Sequence, residues 1–346
     1  MKNCASFLIG SSLNGRFNAS VAGCVMNTPQ VSVVIAAYNA ENYIQTAINS
    51  VLAENNVSLE ILVVDDCSSD STAEIVIGLA SVESRIRYFR NDVNGGPSCS
   101  RNIGIREASG DWIAVLDADD EFRSGRLSCL LELASDTDAE LVCDYLRPID
   151  EQGHVLDGIA MFPIAGRGEY AILTTYDFIQ ADMPGIAGLK AGYLKPVIKR
   201  RFLRHHGIRY DEAVRVGEDA LLLFECLMKG VRAAVTKRPM YDYRFTNDSI
   251  TRQLANKNYD TLLEVNKKMI QMTSAEDNKL LIGLLEERES LYGCAKAYES
   301  LVRAFKKNKR ILDAASVGLS RARCIGYFTR TFFQRFKIRA GISRAR

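Results

Sequence analysis

The sequence predicts an α/β fold: a mostly parallel sheet with helices on both faces, followed by a helical appendage. Short β-branched apolar runs recur in the first third of the chain, at VSVVIAAYN (31–39), LEILVVDD (59–66), IRYF (86–89) and WIAVL (112–116). Segments whose apolar residues have helical spacing separate these runs. Strands that alternate with helices indicate right-handed crossovers and a parallel sheet that is covered on both sides.

The rest of the chain divides by pattern. A fifth strand is predicted at ELVCDY (140–145), residues 146–195 show poor periodicity, and a helix from about residue 218 ends at Gly230. Beyond residue 255 the pattern is helical, with an apolar stripe that predicts either packing on the main domain or dimerisation. We therefore expect four parts, namely a loose extension (1–29), the main domain (30–250), a helical appendage (251–320) and a basic aromatic tail (321–346).

Composition excludes several classes of protein. The nine cysteines include no C-x-x-C pair, and there are only three histidines. This pattern favours reduced thiols in a cytosolic protein over a disulfide framework or a zinc site. No run of about 18 apolar residues occurs, so we expect no transmembrane helix. The sequence thus predicts a cytoplasmic protein.

Polar side chains follow three of the predicted strands at the point where each strand ends. They are Tyr38 and Asn39, Asp65 and Asp66, and the acids from Asp117 to Asp120. Because the carboxyl ends of parallel strands meet at one edge of a sheet, and ligands bind there in open α/β folds, we expect one site at this edge.

The stretch VLDADDEF (115–122) places four acids directly after a strand. Asp117 and Asp119 could hold Mg²⁺ or Mn²⁺ together with a diphosphate, since these cations prefer carboxylate oxygens. A solvated turn is the simplest alternative. An EF-hand loop would need Gly and Glu where Phe122 and Ser128 stand. A phosphatase with an aspartyl nucleophile would carry its motif on the first strand, with glycine in place of Asp120.

Four motifs occur in a fixed order, AAYN, VVDDCSSDST, NGGPSCSRNIG and VLDADDEF. In this order they resemble the family 2 glycosyltransferases, whose catalytic domain has the Rossmann-like GT-A fold. The resemblance covers roughly residues 30–250. With the segment LKAGYLKPVIKRRFLRHHGIRYDE, the chain looks most like bacterial exopolysaccharide glucosyltransferases of the succinoglycan type.

The resemblance implies a donor site. Ala37, Tyr38 and Asn39 match the segment that lies against the nucleotide, and Asp66 matches the acid that binds its base, typically uracil. Four further residues match the family's N-x-G…A-R-N-x-G pattern, namely Asn94, Gly96, Arg101 and Asn102. Arg101 would contact the diphosphate or the sugar, or would form an ion pair on a helix surface.

The resemblance also implies a divalent cation, Mn²⁺ or Mg²⁺. Asp119 would bind it, and Asp117 would bind the ribose or the sugar. Asp120 lies near enough in sequence to exchange roles with them, so all three are candidate metal ligands. Arg244, in YRFTNDSIT (243–251), would contact the donor diphosphate or brace its loop.

A catalytic base is implied in YDEAVRVGEDALLLFECL. Transfer with inversion needs a base to take the proton of the acceptor hydroxyl. The final acid of the family motif usually has this role, which assigns Asp219 as the base and Glu218 as the substitute. The alternative is that both are acids that stabilise a helix N-terminus.

The tail bears on partners. From Arg303 to Arg346 there are thirteen Lys or Arg and one acid, and the segment 324–346 mixes these cations with Phe and Tyr. Such a segment suits an anionic membrane surface, where a lipid-linked acceptor would lie. The alternatives are a disordered solubilising tail and nucleic-acid binding, for which no recognised module is present.

These observations predict an inverting glycosyltransferase that moves one sugar from a nucleotide donor, UDP-glucose or similar, to a glycan acceptor in exopolysaccharide or surface-glycan synthesis. The Q-x-x-R-W motif of processive synthases is absent, since the only tryptophan is Trp112 on the fourth strand. A catalytically inactive relative that binds nucleotide sugars or acts as a scaffold is the alternative.

Overall fold

The structure, a computed structural model, describes residues 28–157, 161, 168–185, 189–246, 259–273 and 278–308. Most of the expected extension (1–29) and the whole tail (321–346) lie outside these ranges. The strands are β1 (Val31–Ala37), β2 (Leu59–Asp65), β3 (Ile86–Arg90), β4 (Trp112–Asp117), β5 (Glu121–Phe122), β6 (Leu141–Ile149), β7 (Tyr170–Ile172), β8 (Val197–Lys199) and β9 (Ala233–Arg244). The helices are α1 (Ile44–Leu52), α2 (Thr72–Val82), α3 (Pro97–Glu107), α4 (Arg126–Thr137), α5 (Thr175–Ala181), α6 (Arg200–His206), α7 (Glu218–Met228), α8 (Tyr259–Met272) and α9 (Lys279–Asn308).

One nine-stranded sheet organises the described residues, in the order β3-β2-β1-β4-β8-β6-β9-β5, with β7 paired to β9. The predicted parallel pairing is confirmed among β3, β2, β1 and β4. The second half is mixed, because β8 runs antiparallel to both β4 and β6, while β6 and β9 are parallel. The helix α5 lies between β7 and β8, but both strands pair antiparallel with their neighbours, so the parallel crossovers of the first half do not extend to them.

Both faces of the sheet are buried. Alternate residues of β1 belong to different apolar clusters, since Val34 packs with one and Val33 and Ile35 pack with the other. This alternation follows from the two-residue period of a strand. It explains why the strands are continuous apolar runs, as expected for a sheet that is covered on both sides.

The C-terminal helices α8 and α9 pack against the main domain. Val265 and Met269 of α8 and Leu285 of α9 belong to the same apolar cluster as Leu222 and Phe224 of α7. The helical character predicted for residues 251–320 is therefore confirmed for the described part of that range, and its apolar residues extend the core of the main domain.

A buried ion pair fastens α9 to the domain. Arg288 is 1% exposed, its Nη2 pairs with Asp182 after α5, and its Nη1 donates to Asn266 Oδ1 of α8 at 3.1 Å. Asp182 Oδ1 in turn accepts a hydrogen bond from Gly192 N at 3.0 Å. The helix pair is thus connected through one carboxylate to the turn at 191–193.

The thiols and the helix lengths bear on the expected compartment. Cys67, Cys99, Cys129, Cys143 and Cys226 are free. The expectation of reduced thiols fails for Cys294 of α9, which is disulfide-bonded. Across the part of the chain that the structure describes, no helix is both long enough and apolar enough to cross a membrane.

Replacing the buried guanidinium of Arg288 should destabilise the fold strongly. In Arg288→Leu the carboxylate of Asp182 stays buried without its cation, and breaking a buried pair costs about 3–5 kcal/mol of unfolding free energy. Urea denaturation followed by circular dichroism measures this change. The control is Arg201→Leu, because Arg201 pairs with Glu140 on the surface and should cost less than about 1 kcal/mol. Equal, small losses in both variants would contradict the role given to Arg288.

Candidate active site

The polar residues expected at one sheet edge do meet there. In the parallel register Asp117 lies beside Ala36 of β1, and Asp65 lies beside Ala37 on the other side of the same strand. The strand ends therefore bring the AAYN, VVDD and VLDADD motifs together. This placement follows from three neighbouring parallel strands that end at the same level.

Asp66 organises the glycine loop before α3. Its carboxylate accepts hydrogen bonds from Gly95 N at 2.9 Å, from Gly96 N at 2.7 Å and from Asn91 Nδ2 at 2.7 Å. Asn94 Nδ2 donates to the Asp66 carbonyl at 3.3 Å. Gly96 has a φ of 85°, which favours glycine, and it directly precedes the first residue of α3. Since a carboxylate has about four acceptor positions, Asp66 keeps room for one more donor.

The first motif lies beside this loop. Ala37 is buried and its carbonyl accepts from Asp66 N at 2.8 Å. The Tyr38 side chain is 54% exposed at the rim. Asn39 Oδ1 accepts from Ser69 N at 2.9 Å, which fixes the loop that follows β2. The exposed ring of Tyr38 is therefore open to a ligand.

Asp65 supports the same loop. It is fully buried, and its carboxylate accepts from Ser68 N, Tyr88 OH and Arg90 Nη1, each at 2.8 Å. These three donors come from the loop after β2 and from β3. Asp65 thus holds the loop in place and leaves Asp66 to face the glycine segment.

Two buried cations link the end of β4 to the start of α7. Arg101 Nη2 contacts Asp117 Oδ1 at 2.7 Å, and its Nη1 contacts Glu218 Oε1 at 2.9 Å and Asp219 Oδ1 at 3.3 Å. Lys195 Nζ contacts Asp117 Oδ2 at 2.7 Å and Asp219 Oδ2 at 2.6 Å. Lys195 and Arg101 are each 4% exposed. The five groups form the central charge network.

Burial and mutual attraction set the charges in this network. Burial alone would raise the pKa of Asp117, but Lys195 and Arg101 hold it below its usual value. Burial alone would lower the pKa of Lys195, yet the Asp117 and Asp219 carboxylates raise it well above normal. Burial, with the adjacent Asp219, raises the pKa of Glu218. The two cations and Asp117 are therefore charged at neutral pH.

The remaining acids of VLDADDEF have different surroundings. Asp120 is buried, and its carboxylate accepts from Tyr241 OH at 2.8 Å and from Arg244 N at 2.7 Å. Burial, reinforced by Asp117, raises the pKa of Asp119 to about 6. No other residue of the described ranges donates a hydrogen bond to the Asp119 carboxylate. Asp119 is thus the acid of this stretch that is left to bind something else.

Arg244 braces the acidic loop, which is one of the two roles that the sequence left open. Its Nε donates to the Asp119 carbonyl at 2.9 Å, and its Nη2 pairs with Glu121. Its Nη1 donates to the carbonyls of Asp150 at 3.1 Å and Glu151 at 2.9 Å. Each guanidinium nitrogen therefore has a protein partner. The rest of the YRFTNDSIT motif, from residue 247 onwards, lies outside the described residues.

Asn102 and Arg101 of α3 hold the segment before α7. The Asn102 side chain donates to the Tyr210 carbonyl and accepts from Tyr210 N, both at 2.9 Å. The Arg101 guanidinium lies 5.1 Å from the centre of the Tyr210 ring. Asn102 thus acts on the backbone that leads to Glu218 and Asp219. Arg101 is fully buried in the charge network, which rules out the surface ion pair considered for it.

Sequence reasoning missed Lys195. It lies in the segment 146–195, whose poor periodicity supported no assignment. A signal was present, because Lys195 is the single charged residue of AGYLKPVI, between Leu194 and Pro196. A lysine surrounded by apolar residues is buried only when it is paired. Tyr241, which donates to Asp120 and accepts from Asp117 N at 3.1 Å, was missed as well.

The acids at this edge fit a cation only in combination with a ligand. Within the described ranges, no group of three or more His, Cys, Asp or Glu side chains is arranged to hold a metal ion. Asp117 is engaged by two cations, and Asp120 by Tyr241 and Arg244. Mg²⁺ is typically held by one or two carboxylates together with substrate phosphates. Asp119 fits that kind of site, with a diphosphate as the second ligand.

Sequence comparisons agree with this geometry. The sequence model of "Glycosyl transferase family 2" matches residues 32–199. The succinoglycan biosynthesis protein ExoO of Rhizobium meliloti is 37% identical over 243 residues, which cover 70% of this chain and 68% of that protein. A β-1,3-glucosyltransferase of Campylobacter jejuni, named for GalNAc(5)-diNAcBac-PP-undecaprenol, is 33% identical over 45% of this chain and 50% of its own.

Solved structures share the fold. S. aureus TarS 1-349 in complex with UDP-GlcNAc has a TM-score of 0.58 at 17% identity, and the match covers 85% of this chain and 77% of that one. The mannosyltransferase PcManGT of Pyrobaculum calidifontis, in complex with GDP-Man and Mn²⁺, has a TM-score of 0.58 at 19% identity over 92% of this chain and 87% of its own. The predicted GT-A fold is confirmed. The chain belongs to the family 2 glycosyltransferases and is a glycosyltransferase of exopolysaccharide or glycan biosynthesis.

Proposed function

We propose that this enzyme transfers one sugar, with inversion, from a UDP-sugar such as UDP-glucose to a glycan acceptor. The observation that carries the proposal is the central charge network, in which Asp117, the proposed donor contact, and Asp219, the proposed base, are held by the same two cations. Fixed placement of reacting groups is a major source of catalytic rate. The ExoO relationship at 37% identity supports an acceptor in exopolysaccharide synthesis.

The donor would lie across the strand ends of β1, β2 and β4. The remaining acceptor position of Asp66 suits the imide N–H of uracil, and the exposed Tyr38 ring suits packing against the base. Asn39, Asn94 and Gly96 would line the donor site, and Ala37 would lie beneath them. In this arrangement Asp117 receives the ribose or the sugar hydroxyls.

A divalent cation, Mn²⁺ or Mg²⁺, would be held by Asp119 and the donor diphosphate. When bound it would supply positive charge to the leaving diphosphate. Among the described residues no hydrogen-bond donor competes for the Asp119 carboxylate, which supports this role, as does the Mn²⁺ in the complex of the PcManGT neighbour. Asp120 and Arg244 would keep the acidic loop rigid around Asp119, because both are bound within the protein.

Asp219 is the proposed base. It follows Glu218 in the first turn of α7. Lys195 hydrogen-bonds its Oδ2, and its Oδ1 is buried, lies 3.3 Å from Arg101 Nη1 and has no hydrogen-bond partner among the described residues. A carboxylate can accept the proton of an acceptor hydroxyl as that hydroxyl attacks the sugar. Glu218 is the substitute, since Arg101 contacts its Oε1 and no described residue hydrogen-bonds its Oε2.

The acceptor is proposed to be lipid-linked and to receive a single sugar. The Campylobacter relative is named for a glycan on PP-undecaprenol, and this chain lacks the processive Q-x-x-R-W motif. The basic aromatic tail would contact the inner face of the plasma membrane peripherally. A cytoplasmic location is proposed because five cysteines in the described ranges are free, although Cys294 is disulfide-bonded.

Replacing the proposed base should abolish transfer without abolishing donor binding. In Asp219→Asn, kcat should fall about 10²–10⁴-fold, because the amide cannot accept the proton. UDP release from UDP-glucose and UDP-GlcNAc, with octyl glycosides as acceptors and Mn²⁺ present, measures turnover. NMR of the product that the wild-type enzyme forms from an α-linked donor should show a β-linkage.

Two variants serve as comparisons for this experiment. The fold decrease of kcat in Glu218→Gln should be at least about tenfold smaller than in Asp219→Asn. Glu225 lies further along α7, and Glu225→Gln should keep almost the full kcat. Full loss in Glu218→Gln with activity kept in Asp219→Asn would transfer the role of base to Glu218. A product that retains the α-linkage would contradict inversion.

The raised pKa of Asp119 predicts how stability depends on pH in the metal-free protein. On folding, the pKa of Asp119 rises from 3.8 to about 6, so folding favours the protonated carboxyl. The stability that the protonated Asp119 contributes is therefore complete below about pH 4 and is lost as the pH rises through about 6. Asp119→Asn should therefore be more stable than the wild type by about 1–3 kcal/mol at pH 8, and equal to it at pH 4. Urea denaturation in EDTA measures this difference.

The matched control is Asp136→Asn, an exposed position on α4. Its effect on the unfolding free energy should be small and the same at both pH values. An Asp119→Asn effect that does not change between pH 4 and pH 8 would show that burial of the Asp119 carboxylate carries no such cost.

A further inference from the structure

We infer that Lys195 is a positioning residue for Asp219: its ammonium holds Oδ2 of the base and so fixes the orientation of the carboxylate. The inference rests on the proposed function, in which Asp219 is the base. It concerns a side chain outside the four motifs that carry the family resemblance. The argument rests on how Lys195 is held, on what it holds and on what would hold Asp219 without it.

A buried arginine, Arg126, fixes the backbone of Lys195. Its carbonyl accepts a hydrogen bond from Arg126 Nη2 at 2.8 Å. Arg126 is fully buried, pairs with Asp144 Oδ1 at 2.7 Å and lies over the rings of Phe122 and Tyr241. Because Arg126 is locked by an ion pair and two aromatic contacts, the Lys195 carbonyl has little freedom to move.

The turn before Lys195 is fixed as well. Gly192 N donates to Asp182 Oδ1 at 3.0 Å, and a Cβ at residue 192 would lie 2.8 Å from that oxygen. The turn therefore packs too closely for a side chain there. Asp182 is held by Arg288 of α9. The ammonium of Lys195 is thus presented from a rigid segment.

Lys195 is the specific partner of Asp219. Its Nζ contacts Asp219 Oδ2 at 2.6 Å, and this contact has hydrogen-bond geometry. The other nearby cation, Arg101, reaches Asp219 Oδ1 at 3.3 Å as an ion-pair contact, while the same Nη1 hydrogen-bonds Glu218 Oε1 at 2.9 Å. Without Lys195, Asp219 would have no hydrogen-bond donor from another residue in the described part of the chain.

The second contact of Lys195 relates the base to the donor side. Its Nζ contacts Asp117 Oδ2 at 2.7 Å, and Arg101 contacts the other Asp117 oxygen. Removal of Lys195 therefore leaves Asp117 with its contact to Arg101 and leaves Asp219, among the described residues, with only the 3.3 Å ion-pair contact to Arg101. The expected loss falls on the chemical step more than on binding of the nucleotide.

A double-mutant cycle tests the inference. The variants are Lys195→Met, Asp219→Asn and the double variant, assayed by UDP release from UDP-glucose with octyl glycoside acceptors and Mn²⁺. Lys195→Met should lower kcat about 10²-fold, since a misplaced catalytic group costs a factor of this order. In the Asp219→Asn background the same substitution should change kcat less than about threefold, because groups that act as a unit are non-additive.

A binding measurement separates positioning from donor recognition. The Kd of UDP with Mn²⁺, measured by calorimetry, should change less than about threefold in Lys195→Met. A Kd that weakens as much as kcat/KM falls would assign Lys195 to the donor and overturn the inference. Additive losses in the cycle would overturn it too.

Further variants keep the test decisive if Lys195→Met is unstable. Lys195→Gln keeps an N–H donor without the charge and should retain more activity than Lys195→Met at equal Tm; equal activity in the two would contradict positioning by a hydrogen bond. The control is Lys199→Met. Lys199 belongs to β8, and its ammonium lies over the ring of Trp112 at the start of β4, away from the central charge network. Activity kept in Asp219→Asn would instead refute the proposed base, which is a different outcome from additivity.

Discussion

The site depends on the need of five buried or partly buried ionisable groups for one another. The acids are Asp117, Glu218 and Asp219, and the cations are Arg101 and Lys195. All five side chains lie in a part of the molecule with little solvent contact. Desolvation of each ion costs several kcal/mol, and loss of one partner leaves the others uncompensated. The end of β4, the first turns of α3 and α7 and the turn before β8 are therefore constrained to meet.

A second set of contacts, each made to a member of this network or to the acidic loop, keeps the arrangement rigid. Arg126 holds the backbone of Lys195, and Asn102 holds the backbone that leads to α7. Tyr241 hydrogen-bonds both Asp120 and the backbone of Asp117. The helix pair α8 and α9 contributes from behind, since Val265 and Leu262 of α8 lie where a Cβ on Gly217 would point. Rigid support of this kind is what preorganised catalytic groups require.

The sequence predicts those features that depend on local pattern. The strands β1, β2 and β4 are largely apolar runs, and the parallel order of β1 to β4 places Asp66 and Asp117 at one edge, as expected. The partners of those acids were not predictable in the same way. Arg244 and Asp120 are 124 residues apart, and the bracing role of Arg244 follows from the pairing of β5 with β9. Lys195 lies in a segment without periodicity, so only its apolar neighbours hinted that it is buried.

The central claim is that the acids of VLDADDEF have different roles. Protein partners occupy Asp117 and Asp120, and Asp119 is left for a cation and a diphosphate. Calorimetric titration of UDP, and of GDP for comparison, into the wild type and Asp119→Asn, with and without Mn²⁺, tests this directly. The account predicts that UDP binds only with Mn²⁺, more tightly than GDP, and that Asp119→Asn loses this binding. Binding of UDP without Mn²⁺ and with the same affinity in both proteins, or no binding of either nucleotide with Mn²⁺ present, would contradict it.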